Sequence, residues 1–389
     1  MVQRAISEKI LQLAGKFPVV SVTGPRQSGK TTLVRALFPD YRYVSLEHPP
    51  SRALAEEDPE SFLRGHENGI IIDEAQYVPQ LFSYIQVLAD EHRLNGEFVL
   101  TGSQHFLFME KITQSLAGRV SVFNLLPFSF EELRTTPWGA YDYEHYLFNG
   151  FFPRLYDQGI AAPDFYPNYL QTYTERDARQ VVNLSDLSAF QRFLQLCAGR
   201  VGQVVNFSQI GTELGVDHKT VARWLSILQT GFQVFLLPPY FENYNKRIHK
   251  TAKLYFYDTG LVCSLLGIQN AGQLDHHFAK GALFENFIIT ELMKQFFNKG
   301  IRPQFYFWRD SGGHEVDLLV DIGGKLHPIE IKSGRTLNNS FFDGLDYFNQ
   351  LAGLDAQHSF VIYGGTDTQS RSRGNVRPWN QLPNWGTAV

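Results

Sequence analysis

Cysteine is nearly absent from this chain. Two residues, Cys197 and Cys263, stand in 389; they give no disulfide framework and no metal-ligand spacing, and they suit a reducing compartment. Long apolar runs are missing too. No stretch approaches the roughly 18 residues of a membrane span, and the opening MVQRAISEKILQLAGKF reads as amphipathic rather than as a signal sequence. These absences predict a cytoplasmic location. A basic surplus is also lacking: 35 Lys and Arg face 39 Asp and Glu, for a net charge of −4. Any contact with nucleic acid must therefore come from a local patch. Internal repeats and low-complexity segments are not evident.

What is present is the composition of a folded chain, 43% hydrophobic and 19% charged. The 32 Phe and 18 Tyr predict Phe-rich cores. A length of 389 residues predicts two or three domains.

The strongest local signal lies near the front. FPVVSVTG (17–24) is a β-branched run of the kind buried in parallel sheets. It leads into GPRQSGKT (24–31) and then into the helical TLVRALF. Strand, G-x-x-x-x-G-K-T and helix, in that order, make a phosphate-binding loop. Gly24, Pro25, Arg26, Gln27, Ser28, Gly29, Lys30, Thr31 and Thr32 are the expected nucleotide contacts. The glycines let backbone N–H groups converge at a helix N-terminus, Lys30 reaches the β/γ-phosphates, and Thr31 offers a hydroxyl to Mg²⁺. GIIIDEAQ (69–76) is a second buried strand with two acids at its C-terminal end, where open α/β sheets bind ligands. Asp73 is expected to hold Mg²⁺ and Glu74 to polarise the attacking water. EFVLTGSQ (97–104) repeats the layout and places Ser103 or Gln104 to sense the γ-phosphate.

This strand order and acidic pair resemble a AAA+-type ATPase. The resemblance implies ATP as ligand, and an arginine that ends the helix before the last core strand and completes a neighbouring subunit's site. Arg119 occupies that place, so a homo-oligomer is expected; an arginine favouring a helix C-terminus explains the residue equally simply. The stretches GFFPRLYDQG and YLQTYTERDARQVVNLSD read as helices of a lid, with Arg154 and Arg176 as weak candidates for phosphate contacts.

In the middle, NFSQIGTELGVDHKTVARWLSIL (206–228) reads as helix, turn at Gly215, and a second helix capped by Asp217. Val221, Trp224, Leu225 and Leu228 follow a buried-face stripe, which leaves His218, Lys219, Ala222 and Arg223 outward. Two β-like runs follow, FQVFLLPPYF and KLYFYDTG, so the module looks winged. From 201 to 253, six Lys and Arg stand against three Asp and Glu. Such modules contact DNA or serve as protein–protein joints, and the residues alone leave both open.

Near the end, HPIEIKSG (327–334) puts Glu330 and Lys332 on one face of a strand, because side chains alternate with period two. An ion pair on a half-exposed strand explains that; so does a metal-dependent active site. Upstream, GALFENFIITELMKQFF carries Glu285 on an amphipathic helix, and HEVDLLVDIGG sets Asp317 in a strand. Helix, three strands, helix and strand, with Glu285, Asp317, Glu330 and Lys332 in that order, resemble the PD-(D/E)xK nuclease superfamily. The resemblance implies Mg²⁺ or Mn²⁺ held by Glu285, Asp317 and Glu330, with Lys332 orienting the attacking water. Glu315 could share the metal. The tail from Thr366 reads as a loop whose Trp379 and Trp385 dock.

Over nearly its whole length the chain resembles a prokaryotic family that fuses a AAA+-type ATPase to a C-terminal nuclease-like domain. The segments GPRQSGKTTL, IIIDEAQ, LTGS, SLAGR, LLPFSFEEL, KLYFYDTGL, FEN, EVD and IEIKSG carry it. The expected fold is multidomain α/β: ATPase core 1–135, helical lid 136–199, winged helix 200–263 and αβββαβ nuclease-like domain 264–389. The expected function is ATP hydrolysis coupled to DNA binding or processing. The alternative is an ATP-switched DNA-binding or assembly protein whose C-terminal domain binds without cutting.

Overall fold

The computed structural model describes residues 2–103, 115–173, 187–241 and 252–385. Gln104 and Arg176 lie outside the described residues. The chain forms two compact units. The first is Met1–Thr136 with the short segments Thr230–Phe232 and Phe297–Ile301. The second holds Pro137–Gln229, Gln233–Phe296 and Arg302–Val389. Among the described residues, no helix is long and apolar enough to cross a membrane.

The first unit is built on five parallel strands: β1 (Val19–Thr23), β2 (Arg42–Ser45), β3 (Ile70–Asp73), β4 (Phe98–Gly102) and β5 (Val120–Asn124). Their spatial order is β2-β3-β4-β1-β5. The apolar runs need two cores because alternate side chains leave opposite faces of the sheet. Val20, Val22, Ile71 and Val99 pack with Ile10 of α1 (Ser7–Ala14) and its N-cap Ile6, and with Leu33 and Val34 of α2 (Lys30–Leu37). On the other face, Val19, Ile70, Ile72, Phe98 and Leu100 pack with Phe82, Ile85 and Leu88 of a helix spanning Leu81–His92. Register Val19↔Phe98 and Val19↔Val120 sets β1 between two strands that come much later in the chain. The turn leaving β1 needs glycine: a Cβ on Gly24 would lie 2.1 Å from the Leu125 carbonyl oxygen.

In the second unit, helices Phe207–Leu214 and His218–Thr230 meet at Gly215, which takes φ +72°. Asp217 caps the second helix, accepting from the N–H groups of Lys219 and Thr220 at 2.8 and 3.0 Å. Val221, Trp224, Leu225 and Leu228 are buried, whereas His218, Lys219 and Arg223 are exposed. An antiparallel ribbon follows, β6 (Val234–Leu237) with β7 (Lys253–Phe256). Helix Lys280–Asn298 precedes a six-stranded sheet: β8 (Phe305–Arg309), β9 (Glu315–Ile322), β10 (Lys325–Lys332), β11 (Phe360–Tyr363), β12 (Gln369–Arg371) and β13 (Gly374–Pro378). The spatial order is β12-β13-β11-β10-β9-β8.

One expectation needs correction. The tail is not all loop: β13 pairs in parallel with β11, and β12 turns back on β13. Its strands are short and polar, so alternation is too brief to read from sequence; Trp379 and Trp385 are buried. β10 lies between β9 and β11; Pro328, Ile329, Glu330 and Ile331 are buried, whereas Lys325, Leu326, His327 and Lys332 are not.

Candidate functional site

The phosphate loop leaves the C-terminal end of β1 and closes on α2, whose N-cap Gly29 has φ +91°. Lys30 is buried and donates from Nζ to the carbonyl oxygens of Gly24 and Pro25, at 2.9 and 2.8 Å. The loop's own backbone thus positions the cation. Ser28 Oγ is buried without a hydrogen-bond partner, which leaves a polar atom of the loop to be satisfied. Arg26 lies 3.9 Å from Glu47; Gln27 and Thr32 are exposed.

The acids of β3 converge on this loop. Thr31 Oγ1 donates to Asp73 Oδ2 at 3.0 Å, and Tyr43 Oη donates to the same oxygen at 2.8 Å. Thr101 Oγ1 donates to Asp73 Oδ1. A hydroxyl beside a carboxylate is the hard-oxygen set that Mg²⁺ prefers, so these residues fit that ion. Glu74 takes a left-handed φ of 55°, and its carboxylate accepts from Ser103 Oγ at 3.0 Å and from Gln76 Nε2. Burial pushes the Glu74 carboxyl up, but Lys30, Gln76, Arg26 and Ser103 outweigh it and hold the group below the usual range. Lys30, Thr31, Asp73, Glu74 and Ser103 are therefore brought together.

Arg119 is not among them. It directly precedes β5, and its carbonyl accepts from Val19 N–H at the start of β1. The strands are parallel, so Arg119 sits at the opposite end of the sheet from the loop, about 15 Å away at some 3.3 Å per residue. It forms a two-pronged ion pair with Asp90, at 2.6 and 2.8 Å. In its own chain it cannot reach a nucleotide. Arg154 is bound to Gln158 within its own helical turn.

The second cluster lies in the C-terminal sheet. Asp317 and Glu330 are both buried. Asp317 Oδ2 accepts from Ile331 N–H at 2.8 Å and lies 3.6 Å from Lys332 Nζ. Lys332 also donates to Glu330. Glu285 approaches from helix Lys280–Asn298, which crowds the carboxylates. Burial and then Asp317 push the Glu285 carboxyl up to about 7, and the same two causes push Glu330 up to about 8.

Sequence reasoning missed two members of this cluster, Lys253 and Tyr255 of β7. Lys253 Nζ lies 3.3 Å from Glu285 Oε1 and pairs with Glu315. Tyr255 Oη donates to Glu285. The KLYFYDTG run held the signal: Lys253 and Tyr255 share one strand face. Every carboxylate of the set thus faces a lysine, and Glu330 Oε2 is the one buried oxygen of the set without a hydrogen-bond partner. Among the described residues, no three His, Cys, Asp or Glu side chains are arranged to hold a metal ion. The lysine pairs occupy the carboxylates as placed, whereas a divalent cation, which keeps several of its waters, would need one or two of them unpaired.

A parallel sheet with a G-x-x-x-x-G-K-T loop and an adjoining acidic strand end defines a P-loop ATPase, and residues 16–134 match the family model described as AAA domain. Residues 140–272 and 280–382 match two further models, each described as a domain of unknown function (DUF8612 and DUF4143). "Uncharacterized protein Rv2008c" of Mycobacterium tuberculosis is 30% identical over 338 residues, covering 86% of this chain and 74% of that one. "Uncharacterized protein Mb2031c" of Mycobacterium bovis aligns with the same figures, 30% over 338 residues. The chain belongs to the family of these proteins, with an ATP-hydrolysing AAA+-type module at its front. Among solved structures, the Walker-type ATPase PABY2304 of Pyrococcus abyssi is 16% identical, with a TM-score of 0.43, covering 68% of this chain and 96% of that one. The RuvB Holliday junction branch migration motor of Thermotoga maritima is 14% identical, with a TM-score of 0.31, covering 61% and 90%.

Proposed function

We propose that this is an ATP-switched DNA-binding protein whose C-terminal domain binds without cutting. In the ATPase module, Lys30 and the loop N–H groups bind the phosphates, and Thr31 with Asp73 would hold Mg²⁺. That ion, when bound, neutralises charge on the β- and γ-phosphates. Glu74 stays ionised, as a base needs to be, and orients the attacking water, while Ser103 fixes the Glu74 carboxylate. Arg119 acts on the nucleotide of an adjacent copy, so the active form is a homo-oligomer.

The observation that carries the DNA reading is the helix His218–Thr230. It buries its apolar stripe and exposes His218, Lys219 and Arg223, the division a helix lying in a major groove requires. The domain limits 1–135, 136–199, 200–263 and 264–389 belong to this proposal. Replacing Lys219 and Arg223 with Ala leaves the buried stripe intact, so the fold persists. DNA affinity should fall, and the slope of log affinity against log salt should flatten by about two units, close to one per lost phosphate contact. Unchanged affinity and slope across a salt series would make the module a protein–protein joint instead.

The reading in which the C-terminal domain cuts DNA with Mg²⁺ or Mn²⁺ through Glu285, Asp317, Glu330 and Lys332 is weakened by Lys253, which stands among the carboxylates. Cleavage of single-stranded, duplex or branched DNA by the wild type, lost in Asp317→Ala, would restore it.

A further inference from the structure

The N-terminal Arg4 and the LLPFSFEEL segment have no part in the site described above, yet both belong to the same hydrogen-bonded group. Arg4 is 8% exposed, unusual for a guanidinium, and all its contacts lie within the first unit. Its Nε donates to Glu132 Oε1 at 3.0 Å, one terminal nitrogen donates to the Ser28 carbonyl at 2.8 Å, and the other donates to the Leu126 carbonyl at 2.7 Å. The guanidinium also lies 5.0 Å from the centroid of the Phe128 ring. Glu132 is anchored in turn. It accepts from Ala5 N–H and from Ser129 N–H, both at 2.8 Å, the latter as half of a capping box on helix Phe130–Arg134.

One planar fork therefore joins three separate pieces of chain: the phosphate loop, the exit of β5 and the first turn of a short helix. The loop contact has a geometric consequence. The Ser28–Gly29 peptide is planar and trans, so its C=O and N–H point in opposite directions. Holding the Ser28 carbonyl against Arg4 turns the Gly29 N–H to the other side. Gly29 is the N-cap of α2, and that N–H belongs to the donor set a helix start offers to an anion. Gln27, two residues before it, already has a left-handed φ of 63°, a strained conformation for a residue with a side chain. A loop so bent needs an external hold to keep one peptide orientation.

We infer that Arg4, backed by Glu132, is a positioning residue for ATP: it fixes the Ser28–Gly29 peptide so that the loop N–H groups meet the phosphates. Arg4 touches no reacting atom. Its effect is on binding of the phosphates, which is common to ground and transition states, so its loss raises KM and spares kcat.

The inference rests on the phosphate-loop reading, and the test separates the two. Phosphate release at varied ATP and melting curves are measured on full-length wild type, Arg4→Met, Arg4→Lys, Glu132→Gln and Lys30→Ala. Arg4→Met should raise KM about tenfold or more, with kcat within about twofold, since a hydrogen bond from a charged group is lost. Arg4→Lys should fall between, because an ammonium keeps the charge but cannot serve three acceptors as a fork. Glu132→Gln should give the smallest rise. If Arg4→Met does not fold, Arg4→Lys alone decides. Arg4 variants that melt lower yet keep the wild-type KM overturn the inference, while loss of binding in Lys30→Ala leaves the ATP site standing. Retained nucleotide binding in Lys30→Ala would overturn the ATP reading itself.

Discussion

The two lysine–carboxylate clusters use the same residue types to opposite ends. At the phosphate loop, Lys30 bonds to two neutral carbonyls, and Asp73 is held by three hydroxyls. In the C-terminal sheet, Lys332 and Lys253 bond directly to carboxylates. At the first site, against the effect of burial, Lys30 acts on the Glu74 carboxyl through space and holds it below the usual range. At the second, charge is paired by direct lysine–carboxylate contacts. A sequence motif names the residues that can do the chemistry; whether they face a ligand or one another is decided by neighbours that the motif omits.

The largest expected effect lies at the first cluster. Lys30→Ala should abolish nucleotide binding in a fluorescent-nucleotide titration, because the loop loses its cation against the β/γ-phosphates. Arg119→Ala should bind ATP normally and hydrolyse it about 10³-fold more slowly if charge reaches the phosphate from a neighbouring copy. Mixing Arg119→Ala with Lys30→Ala should then restore part of the activity. No recovery in subunits shown to exchange would make Arg119 a structural partner of Asp90. Next in size is Glu74→Gln, which should bind ATP yet turn over about 10²-fold or more slowly, since only water activation is removed. Normal turnover would move that role elsewhere.

The smallest effect sharpens the contrast at the second cluster. Mn²⁺ added to full-length wild type should leave the C-terminal melting transition unmoved. Lys253→Met removes one of the two internal cations and leaves Glu285 and Glu315 without a lysine, while Lys332 still faces Asp317 and Glu330. That variant should melt lower, and Mn²⁺ should return several degrees of the loss, with no return when Asp317→Asn is added. A wild-type shift that Asp317→Asn abolishes would show that the ion displaces the lysine unaided.

Much of the first unit is legible in the sequence. β1, β3 and β4, each of four or five buried residues with helices between them, leave few options for a phosphate loop, and Thr31, Asp73, Glu74 and Ser103 meet where the motif order implies. In the second unit, Glu285, Asp317, Glu330 and Lys332 read as one group, and the Asp317 charge does help raise the Glu285 and Glu330 carboxyls, after burial. Lys253 was counted only as part of a basic surplus, because nothing local says that a strand 32 residues before Glu285 will face it. Arg4 was not read at all. Its partner Glu132 is 128 residues away, and a lone arginine near an amphipathic helix carries no pattern.

The placement of β1 also bears on how the chain comes to fold. β1 and the phosphate loop are made early, but their bracing strands, β4 and β5, begin at Phe98 and Val120. The carbonyls of Leu125 and Leu126, which close on Gly24 and Arg4, come later still. At about 5–20 residues per second, a ribosome needs roughly 5–20 s to cover that interval. Until then the loop has been synthesised but has no walls, and contacts that span so much sequence form slowly. Nucleotide capture thus trails synthesis of the loop itself by that interval. ATP can serve as a ligand that selects molecules whose first unit has closed, stabilising them by mass action and leaving unfinished ones unaided.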